Sequence, residues 1–170
     1  MENNLDVKLR FKALFFDYLR ILVGLVTLFI TLMSIFKFIL KKIPEFTETQ
    51  MQWITFFTTV FPVTVFFILK EVRKPYASFG KEKVGLKVRY TGNPVKGSIV
   101  RNILKFLPWH LGHVSVIKLA YRNTFTIPAT LYYGSSISLL ITYILMAIFR
   151  KDPRHLPDIL SGSQVIRTLE

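Results

Sequence analysis

The sequence contains no cysteine. That excludes a disulfide framework, a thiolate metal site and cysteine-based catalysis. Acid is scarce as well: 10 Asp+Glu stand against 23 Lys+Arg in 170 residues, leaving a formal charge of +13. No Walker loop, GxSxG elbow, HExxH motif or EF-hand loop is present, so neither an enzyme nor a cofactor is expected. Apolar residues, by contrast, are abundant. They make up 51% of the chain, aromatics 15%, and the mean hydropathy is +0.40. A disordered basic tail requires low hydrophobicity, and a basic nucleic-acid binder owes its charge to a polar surface. Neither fits, and no nucleic-acid partner is expected. The charge must be segregated from the apolar residues, within a length that suits one domain, 1–170.

Three stretches show where the charge is not. Ile21 to Phe36 has no charged residue, and its apolar character continues to Leu40. At about 1.5 Å per residue it can cross a hydrocarbon core about 30 Å thick. It is too long for a cleaved signal peptide and no small-residue cleavage site follows it. Trp53 to Leu69 and Ile127 to Phe149 are also uncharged. Three such runs describe an all-α integral membrane protein rather than a soluble domain with buried helices.

The basic residues then report sidedness. Lys8, Arg10 and Lys12 precede the first run, Lys70 to Lys105 include ten basic residues after the second, and Arg150, Lys151, Arg154 and Arg167 follow the last. Positive loops stay in the cytoplasm, so all three segments want one side, which demands an even number of crossings. The missing one falls at Ile103 to Leu119, a weak span interrupted by Lys105, His110, His113 and Lys118; a re-entrant segment is the alternative. The expectation is a small bundle of about four transmembrane helices, three clear and one weak, at about 13–40, 52–69, 103–119 and 127–149. The cytoplasmic loop would be 70–102 and the tail 150–170, with both termini cytoplasmic in a multi-pass cell-membrane protein.

Within the loop, Val84 to Tyr90 is rich in β-formers and Thr91-Gly92-Asn93-Pro94 is a turn signal, which suggests a short β-hairpin. Ser98 can N-cap a following helix with Ile99, Ile103 and Phe106 on one face and Arg101 and Lys105 on another. That is the pattern of an interfacial amphipathic helix with its basic face toward anionic lipid headgroups.

Ionisable groups inside or beside a span cost free energy in lipid and are the first candidates for function. Asp17 lies in Ala13-Leu14-Phe15-Phe16-Asp17-Tyr18-Leu19, with Arg10 two turns earlier and Arg20 one turn later on the same face. Two readings stay open: Asp17 and Arg20 neutralise each other and set helix depth, or Asp17 faces the bundle and binds a cation or proton. A second polar site follows the last span, Asp152-Pro153-Arg154-His155-Leu156-Pro157-Asp158, and ends in Ser161-Gly162-Ser163. His110 and His113 lie at i and i+3, and without a nearby carboxylate they make a weak metal site; no metal is expected. Trp53 and Trp109 suit interfacial anchors. Pro62 suits a kink, the threonines around it local hydrogen bonds, and Gly134, Ser135, Ser136 and Ser138 a helix-packing face.

Taken together these segments resemble the RDD family of small membrane proteins, named for one arginine and two aspartates. Its first motif, Arg-x-x-Ala-x-x-x-Asp, reads here Arg10-Phe11-Lys12-Ala13-Leu14-Phe15-Phe16-Asp17. The central pattern looks like Gly80-Lys81, Gly85-Leu86-Lys87-Val88 and Arg101-Asn102. The closing pattern resembles Leu156-Pro157-Asp158 followed by Ser161-Gly162-Ser163, with Pro157 at the common histidine and His155 nearby. The resemblance assigns the three name residues to Arg10, Asp17 and Asp158. It implies transport, of the sodium–proton antiport kind credited to some members.

Two functions follow as expectations. One is ion or proton-coupled transport through a homo-oligomer, with Arg10, Asp17, Arg20 and Asp158 as the site and a small cation or proton as partner; Asp152, His155, His110 and His113 are subsidiary candidates. The other is a non-transporting membrane scaffold or regulatory subunit in which the same charges form a structural ion-pair network.

Overall fold

The computed structural model describes residues 2–149 and 154–168. Helix α1 (Glu2–Ile35) carries the first apolar run and ends in a π-helical turn, Phe36–Leu40, closed by Lys41 in the left-handed conformation. Helix α2 (Glu48–Thr55) starts at a capping box: the Thr47 hydroxyl accepts from the Gln50 N–H, and the Gln50 side chain accepts from the Thr47 N–H. A π-helical turn, Phe56–Val60, joins it to α3 (Phe61–Val72) as one rod. The wide turn sits directly before Pro62, whose missing N–H interrupts the regular ladder. The hydroxyls of Thr58, Thr59 and Thr64 return to the carbonyls of Ile54, Thr55 and Val60 one turn earlier, so they are satisfied locally.

A short helix α4 (Phe79–Lys83) and strand β1 (Leu86–Tyr90) lead to α5 (Pro94–Arg122). Helix α6 (Ile127–Phe149) follows, then α7 (Leu156–Leu160) and strand β2 (Ser163–Arg167). Three helical segments, Val7–Leu40, Glu48–Val72 and Ile127–Phe149, are long and apolar enough to cross a membrane. Burial in this molecule is inside-out. Phe29, Phe38, Ile127 and Phe149 are exposed, whereas Glu71, Asn102, Asp158, Ser78 and Ser98 are fully buried. In water so large an apolar surface would aggregate; in a bilayer it is the surface that lipid covers.

Helix α5 differs from the sequence expectation. The interfacial helix and the weak span are one unbroken helix of 29 residues, about 44 Å long. It starts earlier than Ser98: Asn93 is the N-cap, its side chain accepting from the N–H groups of Val95 and Lys96, with Pro94 in the first turn. Pro108 lies inside without ending it. Ser98 is buried and donates to the Ile68 carbonyl. The face expected to meet headgroups is instead internal, since Arg101 is only 2% exposed.

Contacts along α5 give its direction. Against α6, Leu104 meets Tyr143, Pro108 meets Ser136 and Ser115 meets Ala129, each as a hydrogen bond from a hydroxyl to a backbone carbonyl. Against the α2–α3 rod, Arg101 meets Glu71, Phe106 meets Phe67, His110 meets Phe56 and Lys118 meets Glu48. Helix α5 therefore runs antiparallel to both neighbours and beside most of their length. Of the four small residues expected to form a packing face on α6, Ser136 packs, with its hydroxyl on the Pro108 carbonyl, whereas Gly134, Ser135 and Ser138 are exposed. Trp109 is not at a helix end; its ring lies against Phe106 and His113 in the middle of α5.

The expected local hairpin is also corrected. The strand at Leu86–Tyr90 exists, but its antiparallel partner is β2, with register from Leu86↔Arg167 to Tyr90↔Ser163. Gly92-Asn93-Pro94 cannot turn the chain back into a second strand because Asn93 is committed to capping α5. The tail supplies the partner. Asp152, expected as part of a tail site, lies outside the described residues, as do Arg150 and Lys151.

A buried charge network as the candidate functional site

The last turn of α3 places Glu71 where α5, α4 and β1 converge. Its side chain is fully buried. A carboxylate there is costly unless every lone pair finds a donor, and Glu71 finds four. Arg101 Nη1 lies 2.6 and 2.7 Å from its two oxygens. Lys81 Nζ donates at 2.6 Å, Asn102 Nδ2 at 2.9 Å and Tyr90 Oη at 3.3 Å. The antiparallel course of α5 beside α3 is what brings adjacent Arg101 and Asn102 to one acid.

Arg101 bridges onward. Its Nε donates to Asp158 Oδ1 at 2.7 Å. Asp158, in α7, also meets His155 Nδ1 through Oδ2 at 2.6 Å and accepts from Ser163 Oγ at 3.3 Å. Burial alone would raise the Asp158 carboxyl, but Arg101 and His155 outweigh it and hold the group well below the usual carboxylate range. Burial pushes the His155 imidazole down, against the pull of Asp158. Burial, seconded by Glu71, pushes the Tyr90 phenol up and keeps it a donor.

On the other side of Glu71, Lys81 Nζ also reaches Ser78 Oγ at 3.4 Å, and Ser78 donates to Asp17 Oδ2 at 2.6 Å. Asp17 Oδ1 accepts from the Gly80 N–H at 2.7 Å. Asp17, on α1, thus fixes the start of α4. The two backbones touch: a Cβ at position 80 would overlap the Ala13 carbonyl. The small side chain of Ala13 and the absent one of Gly80 make this approach feasible. Contacts therefore run unbroken from Asp17 through Ser78, Lys81, Glu71, Arg101 and Asp158 to His155.

The sequence candidates are distributed over this network and beyond it. Arg10 donates to the Val165 carbonyl at 3.0 Å, tying α1 to β2. Arg20 does not pair with Asp17; its guanidinium lies over Phe66 and Phe79, 5.5 and 4.8 Å from the ring centroids. Asp17 and Asp158 sit toward opposite ends of the network and share no donor. His155 joins it through Asp158. His110 and His113 lie apart, in the middle of α5, beside Phe56 and Trp109. Among the described residues, His113 Nε2 and Asn102 Oδ1 are buried without a hydrogen-bond partner. Among the described residues no group of three potential ligands could hold a metal.

Six members were not singled out from the sequence as site residues: Glu71, Ser78, Lys81, Tyr90, Arg101 and Asn102. In the sequence Glu71 stands two positions past Leu69, where a charge flanking an apolar run is ordinary. Its signal was its sign, an acid in a segment otherwise crowded with bases.

Apolar helices exposed along their length and charges buried together at one end define a helical membrane protein. The chain belongs to the RDD family: the family model matches residues 6–162, most of the chain. No curated relative and no solved structure matches it.

Proposed function

We propose that this chain is a non-transporting membrane scaffold or regulatory subunit, in which the buried network locks the helix ends to the small sheet. The saturation of its acids carries this reading. Asp17, Glu71 and Asp158 are all buried, and each already has at least two partners. A transporting carboxylate must trade its partners for an ion or proton, and here each trade would break several charge-assisted hydrogen bonds. In this reading the charged end faces the cytoplasm of the cell membrane, with both termini on that side. Helix α5 is the fourth crossing, because it lies antiparallel beside two helices that are apolar enough to span. No catalytic activity, metal or cofactor is involved.

A second reading has support of its own. Asp17, Ser78, Lys81 and Glu71 form an unbroken chain of groups with exchangeable protons, the form of a proton relay, which suits cation/proton antiport. Four spans are too few to enclose a gated pathway, so transport would require a homo-oligomer.

Two measurements separate the readings. Purification in mild detergent should recover a stoichiometric partner protein if the chain is a subunit. Vesicles containing the protein and a pH-sensitive dye should show no cation-dependent proton movement. Movement that disappears in Asp17→Asn would establish the second reading and remove the first.

A further inference from the structure

Four of the cations outside the network, Arg20, Lys70, Arg73 and Lys74, mark one place in the fold. Arg20 stands immediately before the uncharged run Ile21 to Phe36, and Lys70 immediately after Trp53 to Leu69. Both mark the same boundary between apolar and charged structure, approached from two helices. They share a neighbour, Phe66: Arg20 lies over its ring, and a cleft at the end of α3 is lined by Phe66, Leu69, Lys70, Arg73, Lys74 and Pro75. Arg73 and Lys74 are exposed and Lys70 is half-buried. Among the described residues none of these four side chains has an acidic partner. Glu71, the acid next in sequence, is turned the other way and consumed by Lys81 and Arg101. The cleft thus joins an unneutralised cationic rim to an apolar floor at the level where an apolar span ends.

We propose that this cleft binds the headgroup of an anionic glycerophospholipid. The lipid phosphate lies between Lys70, Arg73 and Lys74, with Arg20 at its edge, and an acyl chain descends along Phe66 and Leu69. Bases at a span boundary attract anionic lipid, but attraction alone is diffuse. The apolar floor makes this a site, because it retains a phosphate that carries chains and not one that is free. The inference deepens the membrane reading of the two runs. It does not depend on whether the chain transports anything, and lipid binding is measured independently of transport.

The test is native mass spectrometry of the full chain released from detergent micelles doped with phosphatidylglycerol or phosphatidylcholine. The wild-type chain should retain phosphatidylglycerol in preference to phosphatidylcholine. The triple variant Lys70→Gln/Arg73→Gln/Lys74→Gln should bind it about a hundredfold more weakly, the loss expected for three bases near the membrane surface. A control, Lys87→Gln/Arg89→Gln/Lys96→Gln, removes the same charge from the same end and should bind as wild type does. Unchanged elution of both variants on gel filtration shows that they are folded. Equal loss in the control, equal retention of phosphatidylcholine, or undiminished binding by the cleft variant overturns the proposal. Displacement of the lipid by millimolar inorganic phosphate also overturns it, and would assign the cleft to free phosphate.

Discussion

Arg101 holds both carboxylate oxygens of Glu71 with a single nitrogen, Nη1, at 2.6 and 2.7 Å. That leaves Nε free for Asp158, so one guanidinium joins the end of α3 to the C-terminal tail. Truncating one partner of a buried ion pair strands the other charge and costs about 3–5 kcal/mol. Arg101→Ala strands two carboxylates, and little folded protein should survive extraction into detergent. Lys81→Met leaves Glu71 with Arg101, Asn102 and Tyr90 and should cost less, roughly 1.5–3 kcal/mol. Thermal unfolding of the purified variants checks this order; a Lys81→Met variant as unstable as Arg101→Ala would contradict it.

How much of this was legible in the sequence follows from the range of each contact. Apolar runs and flanking charges are local properties, so three membrane-length helices and one strongly basic end could be read directly. The turn at Gly92-Asn93-Pro94 could be read too, though not that its asparagine starts a helix rather than a hairpin. Glu71 lies 10 positions from Lys81, 19 from Tyr90 and 30 from Arg101. No periodicity encodes such pairs. Arg101 is misleading for a related reason: on one helix Arg101 and Lys105 look like a surface stripe, and only the packing of α3 and the tail puts Arg101 inside. The family resemblance pointed at Gly80-Lys81 and Arg101-Asn102, but motif order cannot say that these residues converge on an acid outside the motifs.

Asp17 offers a test of geometry against charge. In Asp17→Asn the amide oxygen can still accept from the Gly80 N–H while the amide nitrogen donates to Ser78 Oγ. That variant should lose under about 1 kcal/mol, whereas Asp17→Ala, which leaves a buried N–H and a hydroxyl unsatisfied, should lose roughly 1–3 kcal/mol. Gly80→Ala should be at least as damaging as Asp17→Ala, because its methyl group meets backbone rather than a movable side chain. Folded yield and unfolding temperature measure all three. A severely unfolded Asp17→Asn would show that the negative charge matters more than the hydrogen bonds.

Acid should weaken the fold in two stages. His155 has its folded pKa lowered from the ordinary value of 6.5, so the unfolded chain binds the extra proton first. The stability it contributes is complete above pH 6.5 and is lost as the pH falls from there through its folded value. Asp158 is lowered from 3.8, so its contribution is intact above that value and declines below it. Unfolding temperatures between pH 8 and 4 should therefore fall below about pH 6.5, and His155→Gln should flatten that part of the curve. A wild-type profile level from pH 7 to 4.5 would contradict this assignment.

The absence of cysteine makes the fourth crossing directly testable, since any thiol introduced is the only one present. Lys96 and Asn123 lie near opposite ends of α5, and Val116 is exposed between them. If α5 spans, Asn123→Cys should react with an impermeant thiol reagent added to intact cells. Lys96→Cys should react only after the membrane is opened, and Val116→Cys, facing lipid, should react in neither case. If the helix re-enters instead, Lys96→Cys and Asn123→Cys label from the same side. The packing favours the first pattern. The Tyr143 hydroxyl on the Leu104 carbonyl and Lys118 beside Glu48 fix α5 at two separated points against helices long and apolar enough to cross. A re-entrant course would require one of those neighbours to leave the membrane with it.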